Sequence, residues 1–346
     1  MTRFVFYVTL YAWCLLYVFL IADPVMGGSL ANRERPSEIN TIEMLTVSTT
    51  RESEDVGQNA SQTGPDTERE TARPFIWNRT IQLKSGWNMV LTPSGDLYPK
   101  YMADPRNPTF SIMRMRFSST DIDDAGKSRW GLRLGARFGL LRFHKDGDKD
   151  HGLQLDIEAG FIGQFDIDNS ADNIGWDGIY GLHLAWAPVG GLAFRLGTLH
   201  DSSHVGDEYA ERTGRERIKY TREDWVFGVS WSFEEKWRAY AEAGYGHELR
   251  NDDLMEPWRV QYGLEYVSPQ SFWHGRLGWY AAADVSSYEE SEWDMNTTLQ
   301  AGLILPVIQM SRKYRLGMEY YRGRSHFGEF FQDDEKYLSL GIWFDI

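Results

Sequence analysis

The chain is short of cysteine, of long apolar runs and of positive charge, and each shortage excludes a class of protein. A single cysteine, Cys14, stands among 346 residues, which leaves no disulfide framework and no thiolate metal site. Beyond Ala22 no apolar stretch approaches the roughly 20 residues that a membrane helix needs. Lys and Arg total 36 against 50 Asp and Glu, a formal net charge of -14. Nucleic acid is therefore not an expected partner, since its phosphates need a basic face. What the chain has instead is 33 glycines, 18 Phe, 18 Tyr and 14 Trp at only 42% hydrophobic residues. Membrane barrels hide their apolar character in alternation, so a moderate average suits them.

At the N-terminus Arg3 precedes an apolar run from Phe4 to Ala22, and Pro24 breaks it. Small residues follow at Val25-Met26-Gly27 and Ser29-Leu30-Ala31. This predicts a signal peptide over residues 1–31, cut after Gly27 or Ala31. A retained anchor helix is the alternative, because the run is long enough to span a thin bilayer. Cys14 lies inside the run and away from either junction, so it is no lipid-attachment site. Residues 32–73 are rich in Ser, Thr, Glu and Asn and bury too little to offset chain entropy, which predicts a disordered periplasmic linker. Residues 74–110 are aromatic and carry several prolines, which excludes a regular central strand. A periplasmic collar and a plug entering a barrel mouth both fit.

From residue 111 to 346 a period of two takes over. In Trp130-Gly-Leu132-Arg-Leu134-Gly-Ala136-Arg-Phe138-Gly-Leu140 one face is wholly apolar and the other is Gly and Arg. A strand sorts these residues and a helix would scatter them. Leu153 to Phe161, Trp225 to Phe233, Trp258 to Tyr266 and Tyr314 to Tyr320 repeat the pattern. Strands are expected at 111–118, 129–143, 152–165, 176–187, 191–200, 220–233, 237–249, 257–267, 275–287, 294–305, 313–323 and 336–346. Their connections alternate between short and long, the longest running from Asp201 to Lys219. This predicts an all-β, transmembrane antiparallel barrel of about twelve strands, with short periplasmic turns and longer extracellular loops, in a bacterial outer membrane. A soluble sandwich fits less well, because the polar face is Arg, Asp, Glu and Gly, and because Trp130, Trp176, Trp186, Trp231, Trp237, Trp258 and Trp273 cluster at strand ends as interface girdles do.

The face assigned to the lumen mixes charge strand by strand. Its members are Arg114, Arg116, Arg133, Arg137, Asp156, Glu158, Arg195, Arg259, Glu265, Arg315 and Glu319, with Arg222, Asp224, Arg238, Glu242, Arg276 and Asp284 further round. A structural ion-pair network filling a small barrel is the first reading, and a charge-lined channel the second.

One constellation is able to carry chemistry. Continuing the period from Leu192, Phe194 and Leu196 places His200 and Ser202 on the lipid-facing side at the outer end of a strand. Glu223 shares that face on the next strand. An imidazole beside a hydroxyl can deprotonate it for attack on an ester, and a carboxylate can orient the imidazole. His200-Asp-Ser202 near the outer end of a strand resembles outer-membrane phospholipase A and the outer-membrane lipid A deacylases. That resemblance implies a Ser-His pair on the barrel exterior, with Glu223 as third member and calcium as a candidate ion. Apart from that ion no cofactor is expected. Asp146-Gly-Asp148-Lys-Asp150 starts like a calcium loop, but His151 takes the glycine position and Ile157 the twelfth, so a solvated turn is expected.

Arg195-Leu-Gly197 with Ser203-His204-Val-Gly206-Asp207-Glu208 partly recurs as Arg315-Leu-Gly317 with Ser325-His326-Phe-Gly328-Glu329. This hints at an internal duplication and makes Ser-His-x-Gly-acid a loop-folding element. The last strand, with Leu338, Leu340, Ile342, Phe344 and Ile346 on one face, resembles the C-terminal assembly signal of outer-membrane barrels. That implies the barrel-assembly machinery as a partner, beside outer-membrane lipids and lipopolysaccharide. As a whole the chain resembles a family of uncharacterised bacterial outer-membrane barrels, a domain of unknown function. The resemblance is carried by Leu97-Tyr98-Pro99, Met102-Ala-Asp104-Pro105-Arg106, Arg137-Phe-Gly139-Leu-Leu-Arg142 and Ser202-Ser-His204-Val-Gly206-Asp207-Glu208-Tyr209. A structural or interaction barrel with a charge-filled lumen is the first functional expectation. An outer-leaflet lipid esterase using His200 and Ser202 is the second, and a narrow charged pore the third.

Overall fold

The computed structural model describes residues 78–250, 253–268, 272, 277–306 and 313–345. The expected signal peptide and linker lie outside these residues, as do Arg276 and Trp273. Twelve antiparallel strands form a closed ring: β3 (Phe110–Thr120), β4 (Ser128–Lys145), β5 (Gly152–Asp166), β6 (Asp172–Val189), β7 (Leu192–Val205), β8 (Thr221–Phe233), β9 (Trp237–Arg250), β10 (Trp258–Val267), β11 (Gly278–Tyr288), β12 (Met295–Pro306), β13 (Lys313–Arg324) and β14 (Asp334–Asp345). Each pairs with its neighbours in sequence, and β14 returns to β3 to close the ring. Closure matters because backbone N–H and C=O groups facing hydrocarbon have no other partner.

Alternation decides which side chains meet lipid. Leu134, Phe138, Ile157, Leu184, Leu196, Phe227, Leu264, Leu316 and Leu340 are exposed on the outside. Aromatic residues mark both rims, with Trp130, Trp225 and Trp258 toward one end and Trp186, Trp231 and Trp279 toward the other. The short turns gather at this second end. One of them is Gly190-Gly191, where both residues have positive φ and a Cβ on Gly191 would collide with the Ser232 carbonyl. Two mirror-type turn residues let β6 and β7 reverse with the sheet's own twist.

Two strands run beyond their expected ends. β6 begins at Asp172 and β7 continues to Val205, paired through Gly175 and Val205. Asp201-Ser202-Ser203-His204 reads as loop because it is polar, yet at a wetted rim polar side chains cost a ladder nothing. The connection to β8 therefore starts at Gly206 and holds a short helix, α1 (Asp207–Thr213).

Ahead of the ring, β1 (Arg79–Gln82) and β2 (Trp87–Leu91) form a hairpin. β2 pairs with the end of β4, Trp87 against Lys145 and Leu91 against Leu141. β3 starts too late to cover that stretch of β4, so the hairpin protects an edge that would otherwise be open. Between β2 and β3 the chain enters the lumen. Tyr98 and Tyr101 are buried there, and Tyr101 stacks on Tyr240 with ring centroids 3.8 Å apart and donates to Glu242 at 2.7 Å. Wall arginines reach its backbone, Arg137 to the Tyr98 carbonyl at 3.1 Å and Arg315 to that of Met102 at 3.2 Å. At its tip Arg106 pairs with Asp177 at 2.8 Å and with Asp201.

The rest of the lumen is packed with ion pairs. Arg133 meets Glu319 at 3.0 Å, and Glu158 holds Arg137 at 2.6 Å and His183 at 2.8 Å. Glu242 lies between Arg195 and Arg259, and Arg259 continues to Asp224 at 2.5 Å. Arg222 joins Asp224 to Glu290, at 2.9 Å each. Arg238 faces Glu265 at 3.3 Å, Arg315 faces Asp345 at 2.7 Å, and Asp156 accepts from Gln154 at 2.6 Å. A cavity of about 80 Å³ lies between the inserted segment and the wall, lined by Arg106, Asp201, Arg259 and Tyr288 among others.

Arg114 and Arg116 do not belong to this network. β3 presents Ser111, Met113, Met115 and Phe117 inward and Phe110, Ile112, Arg114 and Arg116 outward. Arg114 lies over the Trp130 ring at 5.4 Å, and Arg116 bonds Ser128. The inward methionines and Phe117 pack with Tyr321, Tyr337 and Trp343. Both faces of this strand mix large apolar groups with polar ones, so charge was a poor guide to which face is inner. Long arginines on a lipid-facing row reach the interface with their stems in the apolar layer.

Removing Glu242 as an anion should expose the worth of the network. Glu242→Gln leaves Arg195 and Arg259 short of a buried counter-charge. Breaking a buried pair from one side costs about 3–5 kcal/mol. The expected result is a clearly lower urea midpoint for unfolding from detergent micelles, with strand content retained before the transition.

Candidate functional site

Two loops close the outer end of the barrel, and they are the two copies of the repeated motif. Ser203 points inward from β7, where its hydroxyl donates to Asp177 and accepts from the Glu329 amide at 2.8 Å. Asp177 also accepts from the Gly328 amide at 3.3 Å. The Glu329 carboxylate in turn accepts from the backbone amides of Ile218 and Tyr220 at 2.7 and 3.1 Å. Apolar packing seals the junction, with Ile122, Ile162, Ile174, Ile179, Val205, Tyr209, Phe327 and Phe330 in one buried cluster. The motif thus folds each loop against the other. Its two histidines part company. His326 is buried beneath the loops, and desolvation with Arg133, Arg106 and Arg129 nearby holds its imidazole well below the ordinary range. His204 points outward.

The outward row of β7 carries the predicted residues. His200 pairs across to Glu223 on β8, and Ser202 to Thr221. The structure brings His200 and Glu223 together, with Nδ1 and Oε1 2.5 Å apart. A carboxylate only accepts, so Nδ1 carries a proton, and in the neutral imidazole Nε2 is then the nitrogen with the lone pair. Tyr180 on β6 stacks on the imidazole at 4.3 Å and 18°, which fixes the ring's plane. Ser202 shares the face with His200, but its hydrogen-bond partner is His204, Oγ to Nε2 at 3.2 Å.

His204 enters the sequence reading only within the loop-folding motif and the stretch that carries the family resemblance, and Arg217 does not enter it. Arg217, in the segment leading to β8, donates from Nη2 to His204 Nδ1 at 2.5 Å. A guanidinium cannot accept, so His204 Nδ1 is the bare nitrogen and its proton lies on Nε2, facing Ser202. Trp176 supports the ring from beneath, with centroids 4.0 Å apart. The Ser202 oxygen therefore accepts from His204, and the serine's own proton stays free for another base. The only signal in the sequence is the outward parity of Trp176, His200, Ser202 and His204. Arg217 lies outside any strand, so periodicity says nothing about it.

Beside these residues runs a shallow outer groove, lined by Leu134, Phe161, Trp176, Gly178, Tyr180 and Ser202 among others. At the other end of the barrel, the Asp146-to-Asp150 stretch is a turn. There Asp148 bonds His151 at 2.8 Å and Asp146 accepts from Asn88 at 3.1 Å. Among the described residues no three acidic, His or Cys groups converge to hold a metal ion.

A closed twelve-strand ring with an apolar outer belt, aromatic rims and a charged interior is the architecture of an outer-membrane β-barrel. The chain belongs to the family described as "Protein of unknown function (DUF1207)", which matches residues 33–346. No curated protein matches its sequence. Among solved structures it is similar to outer membrane phospholipase A from Escherichia coli, with a TM-score of 0.50 and 13% identity over 68% of this chain and 90% of that one. The calcium-bound dimer of the Salmonella typhi phospholipase gives 0.49 and 14% over the same shares. LpxR from Salmonella typhimurium gives 0.33 and 13%, over 69% of this chain and all of that one. At these identities the likeness is one of fold.

Glu223 should decide the His200 tautomer. Wild-type protein labelled with ¹⁵N-histidine is expected to show one Nδ1-protonated neutral form for His200 by NMR in micelles. Glu223→Ala should give a mixture of both tautomers, while His204, set by Arg217, keeps its own.

Proposed function

We propose that this barrel is a lipid acyl-ester hydrolase of the outer leaflet, with Ser202 as nucleophile, His200 as general base and Glu223 as the group that orients it. The observation that carries the reading is the 2.5 Å contact between His200 Nδ1 and Glu223, on the same lipid-facing rim as Ser202. A surface histidine held by a carboxylate, with its second nitrogen bare, is poised to take a proton. The similarity in fold to an outer membrane phospholipase A supports the same reading.

In the reaction the Ser202 hydroxyl turns from His204 toward His200. Its oxygen attacks the acyl carbonyl while the proton passes to His200 Nε2. The tetrahedral oxyanion forms beside His204 Nε2–H, which Arg217 keeps protonated, so a donor for the developing charge is already in place. Collapse releases the lipid alcohol with the proton from His200. Water then cleaves the acyl-serine by the same base. The rim position suits a substrate whose ester lies at the level of the aromatic girdle.

The lumen favours a different second reading over a pore. Its ion pairs and the inserted segment around Tyr101 and Arg106 fill the interior, so a structural or interaction barrel is the alternative, and conduction has little room.

Mass spectrometry of phospholipids and lipopolysaccharide incubated with refolded protein and calcium tests the proposal. Wild type should release fatty acid and Ser202→Ala none. Glu223→Ala should lose about 10²–10⁴-fold in rate, the range expected when the orienting acid of a base is removed. Equal release from wild type and Ser202→Ala, or none from either, would remove the hydrolase and leave the filled structural barrel.

A further inference from the structure

The outer row of β6 reads Trp176, Gly178, Tyr180, Leu182, Leu184, Trp186. Every position but one carries a large side chain, and the gap at Gly178 faces Ser202 across the β6–β7 pair and Phe161 across the β5–β6 pair. A Cβ at Gly178 would meet only ordinary contacts, the Trp176 ring at 3.5 Å and the Ser202 carbonyl at 4.0 Å. Neither backbone conformation nor crowding therefore requires glycine here. What the missing side chain does is open the groove between two aromatic walls, leading from Ser202 over β5 toward Leu134. The lining of that path is apolar, and the medium outside is lipid.

At the upper lip of the groove stands an arginine with no salt bridge among the described residues. Arg212, Arg215 and Arg222, in the same stretch of chain, pair with Asp172, Asp333 and Asp224. Arg217 instead donates to the His204 ring, and its side chain is exposed. A guanidinium uses two parallel N–H groups on a phosphate and is the side chain best matched to one. Near a membrane surface an unpaired cation draws anionic headgroups, and the aromatic platform of Trp176 and His204 beneath it sets its height at the interface.

We infer that this rim binds one phosphorylated acyl lipid, with its phosphate on Arg217 and an acyl chain lying over Gly178. The inference deepens the reading of the rim as a hydrolase site and rests on it for the fate of the lipid, but binding itself does not require the serine to react. Arg217 then both holds His204 in its tautomer and selects the headgroup, while Gly178 admits the chain next to the nucleophile. A diacylglycerol offers the same chains with no phosphate and loses the first of these contacts.

The test uses the full chain refolded in detergent on a Ser202→Ala background, so that no lipid is consumed. Native mass spectrometry counts lipid retained from dimyristoyl phosphatidic acid and from dimyristoylglycerol, which differ only in the phosphate. The phosphatidic acid should be retained about tenfold better, the ratio that one charge-assisted hydrogen-bonded contact supplies. Arg217→Gln should erase that preference and Arg217→Lys restore part of it. Gly178→Leu should lower retention of both lipids. Arg114→Gln, which removes an outward arginine away from the groove, should leave the preference intact. Equal retention of the two lipids by the parent would overturn the inference, as would equal losses in Arg217→Gln and Arg114→Gln, because diffuse charge would then explain them. Phosphate-selective retention with no fatty-acid release from wild type would sink the hydrolase and keep the binding site. Fatty-acid release that ignores both Arg217→Gln and Gly178→Leu would sink the binding site, and with it the part of Arg217 in holding His204, and keep Ser202 with His200.

Discussion

A backbone amide in hydrocarbon must find its partner within the protein, and the rest of this structure follows from that requirement. It forces the sheet to close, so that β14 returns to β3. Closure and the period of two then divide side chains into an outer and an inner set. The outer set has to be apolar, and the inner set inherits nearly all the charge. Where β3 leaves the end of β4 uncovered, the β1–β2 hairpin takes its place, which is the same requirement met by a different piece of chain.

The charged interior has its own constraint. At twelve strands the ring is narrow, and a buried guanidinium without a carboxylate would be costly. The chain meets this by making Glu242 and Asp224 shared partners of three arginines, Arg195, Arg259 and Arg222. Wall arginines also bond the backbone of the inserted segment, so that one network holds both the ring and its filling. At the outer end the same chemistry changes purpose. Asp177 binds Arg106, Ser203 and the Gly328 amide, tying the inserted tip to the two loops that cover it.

The outward rim of β6, β7 and β8 is where chemistry becomes possible, because there the ladder continues past the apolar belt. A polar residue on a paired strand is held more rigidly than one in a loop, yet it costs little where water and headgroups reach it. His200, Ser202 and His204 occupy three successive outward positions on such a strand, and aromatic rings from β6 fix two of them. The carboxylate of Glu223 and the guanidinium of Arg217 set opposite tautomers in the two histidines, one with a bare Nε2 and one with Nε2–H. In the proposed reaction that contrast gives one imidazole the part of base and the other the part of donor beside a single serine.

By itself the sequence determined the fold class, the twelve strands of the ring and most of their limits, because a face that meets lipid leaves a strict alternation in residue order; it missed the β1–β2 hairpin, which lies ahead of that alternation. The same parity placed His200, Ser202 and Glu223 on the outside. It failed on β3, where Arg114 and Arg116 take the outer face and Met113, Met115 and Phe117 the inner one, since large apolar groups occupy both sides of that strand. It ended β7 at His200, five residues early, because a polar stretch at a wetted rim carries no hydrophobic signal. Only the tertiary structure decided that residues around Tyr101 and Arg106 lie in the lumen, since prolines exclude a strand without saying where the chain goes. Only the tertiary structure brought Arg217 to His204 and turned Ser202 toward His204 rather than His200. Such contacts depend on loop path and side-chain direction, which no repeat along the chain encodes.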